Sequence, residues 1–471
     1  MIKPMSNKIK KLKDKLNKTI WTDNIEKLKP HLYEQRGNIQ GKSSLLMLPK
    51  NTADVVKIVK FCNKNKISIV PQGGRTGLCG GTIPNNNGNE ILLSTEKMDK
   101  VIEVNKDSFY MIVQAGCPLS LIKRIAFENN RFFPLSLPSE SSCTIGGNIS
   151  TNAGGAAVLK YGMTKELVEG IEVVLPNGEI INSIKNIEKD NRGFDPKYLH
   201  IGSEGTLGII TKVKIRLFPE IKKKVMAIVA TNTINNLINF LNMTKNECYE
   251  YFSSFEINTN IGLNLINKFY SDIPIPFDNQ YNWYAIVELS SYDNVNLEKK
   301  ISNIIGKSIK NKIIFDAIIP QNLKQYNNIW KTRELLSEAQ KLNGKSIKHD
   351  ISIPIEKIPL FIKKARKFLT DFRKNNILTF GHLAEGNLHY NISKPKTMSM
   401  SVFNKLHKKV NSNIFNLVHD LGGSFSAEHG IGLIKKKEFK KYTSKEEFII
   451  KYNLKKLLDP NNIMNPGKIF N

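Results

Sequence analysis

The segment 67-ISIVPQGGRTGLCGG-81 decides the fold of this chain. Its short apolar run, ISIV, predicts a buried strand that passes directly into a loop with five glycines. Because glycine has no Cβ, the backbone N–H groups of such a loop can approach a pyrophosphate closely. The loop has neither the GK[ST] ending of a Walker A motif nor the GxGxxG spacing of a Rossmann fold. It therefore predicts a phosphate-binding loop outside those two classes.

Two more glycine-rich segments follow, 139-SESSCTIGGNISTNAGGAAVLKYG-162 and 202-GSEGTLGII-210. Their small hydroxyl and amide side chains offer many hydrogen-bond donors and little bulk, which suits a flat ring system packed against backbone. A single loop of this kind can be a tight turn. Three such loops in order within residues 71–210 indicate a shared ligand.

The surrounding elements alternate between short strands and helices. Behind a Thr52 cap, Val55, Ile58, Val59 and Cys62 have helical spacing. Segment 110–116 predicts a strand, 171–181 predicts a β-hairpin, and alternation in 209–217 predicts a half-buried strand. This order favours an α+β fold over a regular doubly wound sheet.

The chain divides into four segments. We expect a basic, helical surface arm at 1–40, a glycine-loop domain at 41–219, a second α+β domain at 220–425, and a helical C-terminal segment at 426–471. No internal repeat or low-complexity linker separates them.

Composition excludes several classes of protein. The net charge is +28, but only nine of the 70 basic residues are arginine and the lysines are spread along the chain. No nucleic-acid-binding motif accompanies them, so we expect no nucleic-acid partner. The five cysteines form no CxxC pair, and no apolar run reaches the roughly 18 residues of a membrane span. We therefore expect a cytoplasmic protein.

Two segments near the C-terminus, 381-GHLAEGNLHYN-391 and 426-SAEHGIG-432, contain three of the eight histidines. His382 and His389 are seven residues apart, so an uninterrupted strand would point them to opposite faces. The intervening residues must turn, and Gly386 permits it. With Glu428, the two histidines match a catalytic zinc pattern that iron and manganese share. The alternative is two structural histidines beside a β-turn.

These motifs together carry a family resemblance. PxGGxTGLxGG, SCTIGGNxxTNAGG and GSEGTLGII resemble the FAD-binding domain of the vanillyl-alcohol oxidase/p-cresol methylhydroxylase superfamily. GHxxxGNLHxN, EHGIG and DPxxIMNPGKI resemble its FAD-linked oxidase C-terminal domain. The resemblance implies a two-part FAD-binding domain, an α+β substrate (cap) domain, and a C-terminal segment that returns to the flavin. Because the 71–81 loop has no histidine, non-covalent FAD is expected.

The resemblance also assigns residues to FAD. Those in the first loop are Pro71, Gly73, Gly74, Arg75, Thr76, Gly77, Leu78 and Gly80. Those in the second are Ser142, Thr144, Gly146, Gly147, Asn148, Asn152, Gly154 and Gly155. Glu204, Gly205, Ile210 and Asn465 would complete the site.

The group that this chain resembles most, D-2-hydroxyglutarate dehydrogenase, D-lactate dehydrogenase and the glycolate oxidase D-subunit, implies further roles. His382, His389 and Glu428 would bind a divalent metal, zinc by the donor pattern, and His429 would be the catalytic base. The carboxylate of the substrate would bind Arg333 and Lys348, while Asn391 and His429 would face the substrate. The family's GDGN is AEGN here, which enlarges the turn between the histidines.

The resemblance implies FAD-dependent oxidation of a D-2-hydroxy acid, with D-2-hydroxyglutarate, D-lactate and glycolate open as substrates. The electron acceptor would be an electron-transfer flavoprotein, a quinone or a cytochrome. Peripheral membrane association and a homodimer are also left open. The alternatives are a transferase like alkylglycerone-phosphate synthase and a basic binding protein without catalysis.

Overall fold

The computed structural model describes residues 7–37, 39–187 and 189–470. These residues divide into two units. The first unit contains the described residues of 7–154, 162–220 and 428–470, and the second contains 155–161 and 221–427. The mixture of helices and sheets confirms the predicted α+β class.

Strands occur along both units. In chain order they are β1 Trp21–Thr22, β2 Leu46–Met47, β3 Ile69–Gln72, β4 Ile91–Ser94, β5 Val101–Asn105, β6 Tyr110–Gln114, β7 Arg131–Phe132, β8 Val168–Val174, β9 Ile180–Asn182, β10 Ile209–Arg216, β11 Phe218–Pro219, β12 Lys223–Thr231, β13 Phe252–Thr259, β14 Trp283–Ser291, β15 Asp316–Ile318, β16 Ser346–Ile347, β17 Asp350–Ser352, β18 Ile377–His382 and β19 Asn387–Ser393.

The α-helices are α1 Asn7–Lys15, α2 Ile25–Leu28, α3 Thr52–Asn65, α4 Leu119–Glu128, α5 Ile145–Ser150, α6 Val158–Tyr161, α7 Thr164–Leu167, α8 Lys197–His200, α9 Ile234–Cys248, α10 Asn260–Phe269, α11 Leu297–Lys310, α12 Leu323–Glu334, α13 Leu336–Leu342, α14 Ile358–Lys367, α15 Met400–Asp420, α16 Lys436–Tyr442 and α17 Lys445–Leu458. Among the described residues, no helix is both long and apolar enough to cross a bilayer.

Two sheets of the first unit position the glycine-rich segments. One has the order β1-β2-β4-β3, in which β3 runs parallel to β4 and ends at the first glycine-rich loop. The other has the order β5-β6-β10-β8-β9, and its β8–β9 pair confirms the predicted hairpin. The apolar strands place the loops at the ends of buried β-structure.

The C-terminal segment of the first unit returns to β3. Ile69 donates its N–H to the carbonyl of Ile463 at 2.7 Å, and Asn465 donates its N–H to the carbonyl of Ile69 at 2.8 Å. The buried Lys455 ammonium holds this segment through the carbonyls of Thr206 and Met464. The chain's last residues thus lie beside the start of the first glycine-rich loop.

Two predictions about the N-terminal half are wrong. The basic segment is not merely a surface arm, because Ile9 and Leu12 of α1 are buried in the same core cluster as Ile58 of α3. Asn51, rather than Thr52, caps α3, since its side chain accepts the N–H of Asp54. A carboxamide at this position stabilises a helix start as well as a hydroxyl does.

Strand β10 is also more buried than the alternating pattern predicts. Thr211 and Lys214 are buried and Lys212 is half-buried, whereas Arg216 at the end of the strand is exposed. The Thr211 hydroxyl and the Lys212 ammonium both reach the carboxylate of Glu172, at 2.8 and 2.9 Å. The Lys214 ammonium lies 4.1 Å from the ring centre of Tyr110. Paired charges allow a lysine-bearing strand to lie inside a sheet.

The second unit is built on a largely antiparallel sheet with the order β15-β12-β14-β13-β18-β19-β16, and β17 also pairs with β19. Strands β12 and β14 pair over their full lengths, from Lys223↔Ser291 to Thr231↔Trp283. Their apolar side chains pack with α10 and α12 in one core cluster. This rigid sheet carries the histidine-rich segment.

Residues 155–161 belong to the second unit, although they lie within the predicted 41–219 segment. The Lys160 ammonium donates to the carbonyl of Ser290 at 2.9 Å, and the Tyr292 hydroxyl lies 3.0 Å from that of Tyr161. These bonds attach α6 to strand β14 and the turn after it. A local glycine-rich pattern gave no sign of those distant partners.

Candidate active site

The three glycine-rich segments of the first unit meet at one cleft. The predicted flavin residues that line it are Pro71, Gly73, Gly77, Gly146, Gly147, Glu204, Gly205 and Ile210. The cleft lies where β3 ends, α5 begins and β10 begins. Segments 139 residues apart in the sequence therefore form a common surface of backbone and small side chains.

Close packing of the cleft requires glycine at two positions. A Cβ on Gly74 would lie 2.0 Å from the carbonyl oxygen of Ser142, and a Cβ on Gly73 would lie 2.4 Å from the Thr144 hydroxyl. Both distances are below any van der Waals contact. The first and second glycine-rich segments can therefore pack backbone to backbone only because these side chains are absent.

The cleft also offers unused hydrogen-bonding groups. From Gly73 to Leu78, no backbone N–H donates a hydrogen bond to another described residue. In the part of the chain that the structure describes, the buried Thr144 hydroxyl and the Asn465 side-chain oxygen also have no hydrogen-bond partner. Buried polar groups normally have partners. A pyrophosphate would supply acceptors for the N–H groups, so the residues fit FAD.

The other predicted flavin residues are not among those that line the cleft. The Arg75 guanidinium forms an ion pair with the carboxylate of Glu96, at an N–O distance of 3.3 Å. Asn465 donates to the carbonyls of Gly81 and Glu204 and fastens two loops together. Gly155 lies in the second unit. The remaining positions are Gly74, Thr76, Leu78, Gly80, Ser142, Thr144, Asn148, Asn152 and Gly154.

Sequence reasoning missed several lining residues. Thr95 and Ala115 follow β4 and β6, and neither belongs to a glycine-rich segment. They reach the cleft because β4 neighbours β3 and because α5 packs on β10. A Cβ on Gly146 would approach the Ala115 side chain to 2.7 Å, which shows how tightly α5 packs there. Predicting that Thr95 and Ala115 line the cleft would have required the order of the strands in the two sheets.

His429 lines the same cleft, and Glu204 fixes the segment that contains it. The half-buried Glu204 carboxylate accepts the backbone N–H of Ile431 at 2.7 Å and that of Gly432 at 2.8 Å. Burial raises the pKa of this carboxyl, while the two N–H donors oppose the rise. Glu204 thus connects the third glycine-rich segment to EHGIG, a contact not predicted from the sequence.

In the second unit, His382 and His389 lie on the two strands of a hairpin. Strand β18 ends at His382, a 3-10 turn covers Leu383–Glu385, and Gly386 adopts a φ of +72° before β19 begins. The predicted turn is therefore confirmed. The ring centres are 6.2 Å apart. Two imidazoles on one zinc ion, with Zn–N bonds of about 2.0–2.1 Å, place their centres roughly 5–6 Å apart.

Each histidine lies beside a buried carboxylate. Glu256, on β13, accepts a hydrogen bond from His382 Nδ1. Asp350, on β17, is the cross-strand partner of His389, and its Oδ1 lies 3.8 Å from His389 Nδ1. Carboxylates next to metal-binding histidines hold the rings in place and raise their basicity. The donor chemistry of this hairpin therefore fits a divalent metal ion.

The predicted substrate residues of the second unit make different contacts with this hairpin and its neighbours. Arg333, at the end of α12, donates its Nε to Glu256 at 2.7 Å, so it shares a carboxylate with His382. Lys348 is half-buried between β16 and β17. Asn391 is on the same face of β19 as His389, but its amide bonds to the His349 N–H and to Gln340.

The third predicted metal ligand, Glu428, opens the last segment of the first unit, and His429 follows it. Ala427, the residue before Glu428, belongs to the second unit, where its N–H contacts the carbonyl of Asp350 at 3.4 Å. The predicted metal set thus draws residues from both units. It remains a prediction, as does the role of His429.

Two family models match the chain. The FAD binding domain model matches residues 43–183, and the model of the C-terminal domain of FAD linked oxidases matches residues 221–469. The second match covers more than half of the chain. The glycine-rich motifs fall in or near the first match, and the histidine-rich and C-terminal motifs fall in the second.

Similar proteins span most of the chain. A probable mitochondrial D-2-hydroxyglutarate dehydrogenase of Oryza sativa subsp. indica is 35% identical over 435 residues, which is 92% of this chain and 76% of that protein. D-2-hydroxyglutarate dehydrogenase of Stutzerimonas stutzeri is 31% identical over 432 residues, covering 91% of each chain. The structure of p-cresol methylhydroxylase superposes with a TM-score of 0.76 at 14% identity, covering 100% and 98% of the two chains. That likeness confirms the predicted fold.

Proposed function

The chain belongs to the FAD-linked oxidase family and is an FAD-dependent oxidoreductase, and from that premise we propose that it oxidises D-2-hydroxyglutarate to the 2-oxo acid. One observation carries the proposal: His429, the predicted base, lines the cleft that the three glycine-rich segments form. A proton acceptor at the flavin cleft is what oxidation of an alcohol to a ketone requires.

The residues of the flavin cleft fit non-covalent FAD, and His382, His389 and Glu428 would hold a divalent ion, zinc in our proposal. When bound, FAD supplies the acceptor for the hydride that leaves Cα, and the metal supplies positive charge that lowers the pKa of the substrate hydroxyl. The protein must then orient the substrate and remove one proton.

Arg333 and Lys348 would bind the carboxylates of the substrate. A guanidinium grips a carboxylate with two parallel N–H donors, whereas an ammonium acts as a point charge. Two cations match the two carboxylates of D-2-hydroxyglutarate better than the single carboxylate of D-lactate or glycolate. His429 would accept the hydroxyl proton as the hydride departs, so the two-electron oxidation is balanced by reduced FAD and one proton.

Anaerobic stopped-flow measurement of flavin reduction tests this function. The purified yellow protein is mixed with D-2-hydroxyglutarate, L-2-hydroxyglutarate, D-lactate and glycolate, and the loss of oxidised flavin absorbance is followed. We expect D-2-hydroxyglutarate to have the largest ratio of limiting rate to half-saturation concentration. Faster reduction by D-lactate or glycolate would move the assignment to that acid.

The other classes give different results in the same experiment. No reduction by any of the four acids would overturn the dehydrogenase proposal and favour a transferase like alkylglycerone-phosphate synthase. A colourless protein that does not take up FAD would favour a non-catalytic binding protein. Reoxidation by an electron-transfer flavoprotein, a quinone or a cytochrome is then measured in separate assays.

A further inference from the structure

Glu256 is a buried carboxylate shared by two predicted site residues. It lies on β13, with its side chain 2% exposed, opposite His382 on β18. One carboxylate oxygen accepts a hydrogen bond from His382 Nδ1, and the other accepts the Nε–H of Arg333 at 2.7 Å. Segments that are 126 and 77 residues away in the sequence therefore meet at one side chain.

The carboxyl of Glu256 forms an ion pair with the guanidinium of Arg333, with Nε and the carboxylate oxygen 2.7 Å apart. Because a guanidinium stays charged and donates all of its N–H groups, Glu256 faces it as a carboxylate. An ionised carboxylate has no proton to donate and can only accept hydrogen bonds. The proton between Glu256 and His382 must therefore be on the histidine, at Nδ1.

This contact has a consequence for metal binding. When Nδ1 of an imidazole carries a proton and donates it to a carboxylate, Nε2 is the nitrogen that can coordinate a metal. The carboxylate also fixes the plane of the ring and increases its basicity. Glu256 thus selects Nε2 of His382 as the ligand atom.

The second contact orients Arg333. Its Nε–H is held by Glu256, and its guanidinium lies 4.9 Å from the ring centre of Phe380, which is also on β18. A guanidinium fixed at Nε on an aromatic surface keeps its terminal NH₂ groups in a defined direction. The negative charge of Glu256 also reduces the repulsion between the Arg333 cation and a metal ion on His382.

We propose that Glu256 is a positioning residue that holds His382 for the metal and Arg333 for the substrate carboxylate at the same time. This inference rests on the proposed function. It gives Glu256 no contact with the substrate. Because one rigid carboxylate makes both contacts, its removal should weaken metal binding and substrate binding together.

The test compares Glu256→Gln with Glu288→Gln. Glu288 is a buried carboxylate on the neighbouring strand β14, bonded to Ser253 and Tyr326 rather than to His382 or Arg333. The affinity for Zn²⁺ is measured without substrate, by competition with a chromophoric chelator. We expect Glu256→Gln to bind Zn²⁺ about 10- to 100-fold more weakly, as when other carboxylate partners of metal-binding histidines are removed.

Flavin reduction by D-2-hydroxyglutarate supplies the second readout. In Glu256→Gln the half-saturation concentration should rise about tenfold or more, because the neutral amide has one acceptor oxygen for two donors and gives Arg333 no charge-assisted hydrogen bond. Glu288→Gln should change neither quantity more than about twofold, even if the thermal stabilities of the two variants fall equally. Wild-type Zn²⁺ affinity and half-saturation in a folded Glu256→Gln variant would overturn the inference and leave a purely structural ion pair.

Two further measurements test the same contact. If Glu256→Gln does not fold, ¹⁵N–¹H spectra of histidine-labelled wild-type protein identify the protonated nitrogen of His382, assigned by its loss in His382→Asn. Protonation at Nδ1 is expected, and a neutral ring protonated only at Nε2 would overturn the inference. If the wild-type protein binds no Zn²⁺, both the metal-assisted proposal and the role of Glu256 are wrong. If the wild type is active and binds Zn²⁺ no more tightly than Glu256→Gln does, only the role of Glu256 is wrong.

Discussion

The carboxylate of Glu204 accepts the backbone N–H of Ile431 at 2.7 Å, although 227 residues separate them. The neighbouring N–H of Gly432 binds the same carboxylate, and the backbone carbonyl of Glu204 accepts the side-chain amide of Asn465. One half-buried residue therefore joins the third glycine-rich segment to EHGIG and to the C-terminal segment. The position of His429 depends on this junction because His429 lies two residues before Ile431.

We predict that Glu204→Gln loosens the EHGIG segment. The amide retains one acceptor oxygen, so one of the two N–H groups faces an NH₂ group and loses its partner. An unpaired buried donor costs about 1–3 kcal/mol. Urea unfolding should show a loss of that size, and flavin reduction should slow about tenfold because a looser EHGIG segment positions His429 less accurately at the cleft. Glu128→Gln, at an exposed position in the first unit, is the control, and equal rates in the two variants would contradict the prediction.

Substitutions at Gly74 and Gly77 should affect different properties, the stability of the fold at Gly74 and the binding of FAD at Gly77. A Cβ on Gly74 would collide with the Ser142 carbonyl, whereas a Cβ on Gly77 meets no protein atom within 4 Å. Gly77 lines the cleft, so its Cβ would instead occupy space needed by the cofactor. Gly74→Ala should lower the thermal midpoint of the FAD-free protein, while Gly77→Ala should leave that midpoint unchanged and weaken FAD binding about tenfold or more.

Calorimetry of the FAD-free proteins and titration with FAD measure these two effects. The variants serve as controls for each other because they change the same residue type in one loop. Full FAD affinity in Gly77→Ala would mean that the cofactor does not pass beside this glycine. An unchanged midpoint in Gly74→Ala would mean that the two segments separate easily.

His429→Asn should slow flavin reduction by about 10²-fold or more at neutral pH, because an amide cannot accept the hydroxyl proton. FAD content and Zn²⁺ affinity should stay near wild type, since neither role is assigned to this side chain. Stopped-flow reduction by D-2-hydroxyglutarate checks the rate, with His419→Asn on the exposed surface of α15 as the control. Near-normal reduction in His429→Asn would remove His429 from the mechanism.

Local patterns were sufficient where the determining residues are neighbours in the sequence. The apolar run ISIV at 67–70 predicts a strand because its burial follows from its own composition, and β3 is found at Ile69–Gln72, two residues further along the chain. The odd spacing of His382 and His389 predicts the turn because the period of a strand is two residues. Both features depend on covalent geometry rather than on distant partners.

Tertiary partners explain what sequence reasoning missed. Glu256 sits within a strand, FSSFEINT, where a lone acidic residue gives no sign of its two partners. Lys214 is buried because Tyr110 and Glu169 cover it from other strands. The sequence pattern predicts Thr52 as the N-cap of α3, but the Thr52 hydroxyl donates a hydrogen bond to the carboxylate of Glu172. Asn51 is the N-cap residue instead. In each case a contact across more than 75 residues, or a competing neighbour, decides the outcome.

His200 should make the first unit sensitive to mild acid. Its ring is 1% exposed, and among the described residues neither ring nitrogen has a hydrogen-bond partner. Burial lowers its pKa from 6.5 to about 4. The unfolded chain therefore binds a proton between pH 6.5 and 4 that the folded protein excludes. The unfolding free energy is therefore unaffected by this group above pH 6.5, and it decreases as the pH falls from 6.5 toward 4.

At pH 5 this difference corresponds to about 2 kcal/mol, from 1.36 kcal/mol per pH interval below 6.5. His200→Leu removes the titrating group, so its unfolding free energy should fall about 2 kcal/mol less than that of the wild type between pH 7.5 and pH 5. Urea unfolding at both pH values measures this difference and cancels any change in packing that the leucine causes. His419→Leu, at an exposed position on α15, should retain the wild-type pH dependence. Parallel pH dependences for His200→Leu and wild type would mean that the folded protein accommodates the proton, through water entry or a shift of α8, and that burial of this ring does not drive acid unfolding.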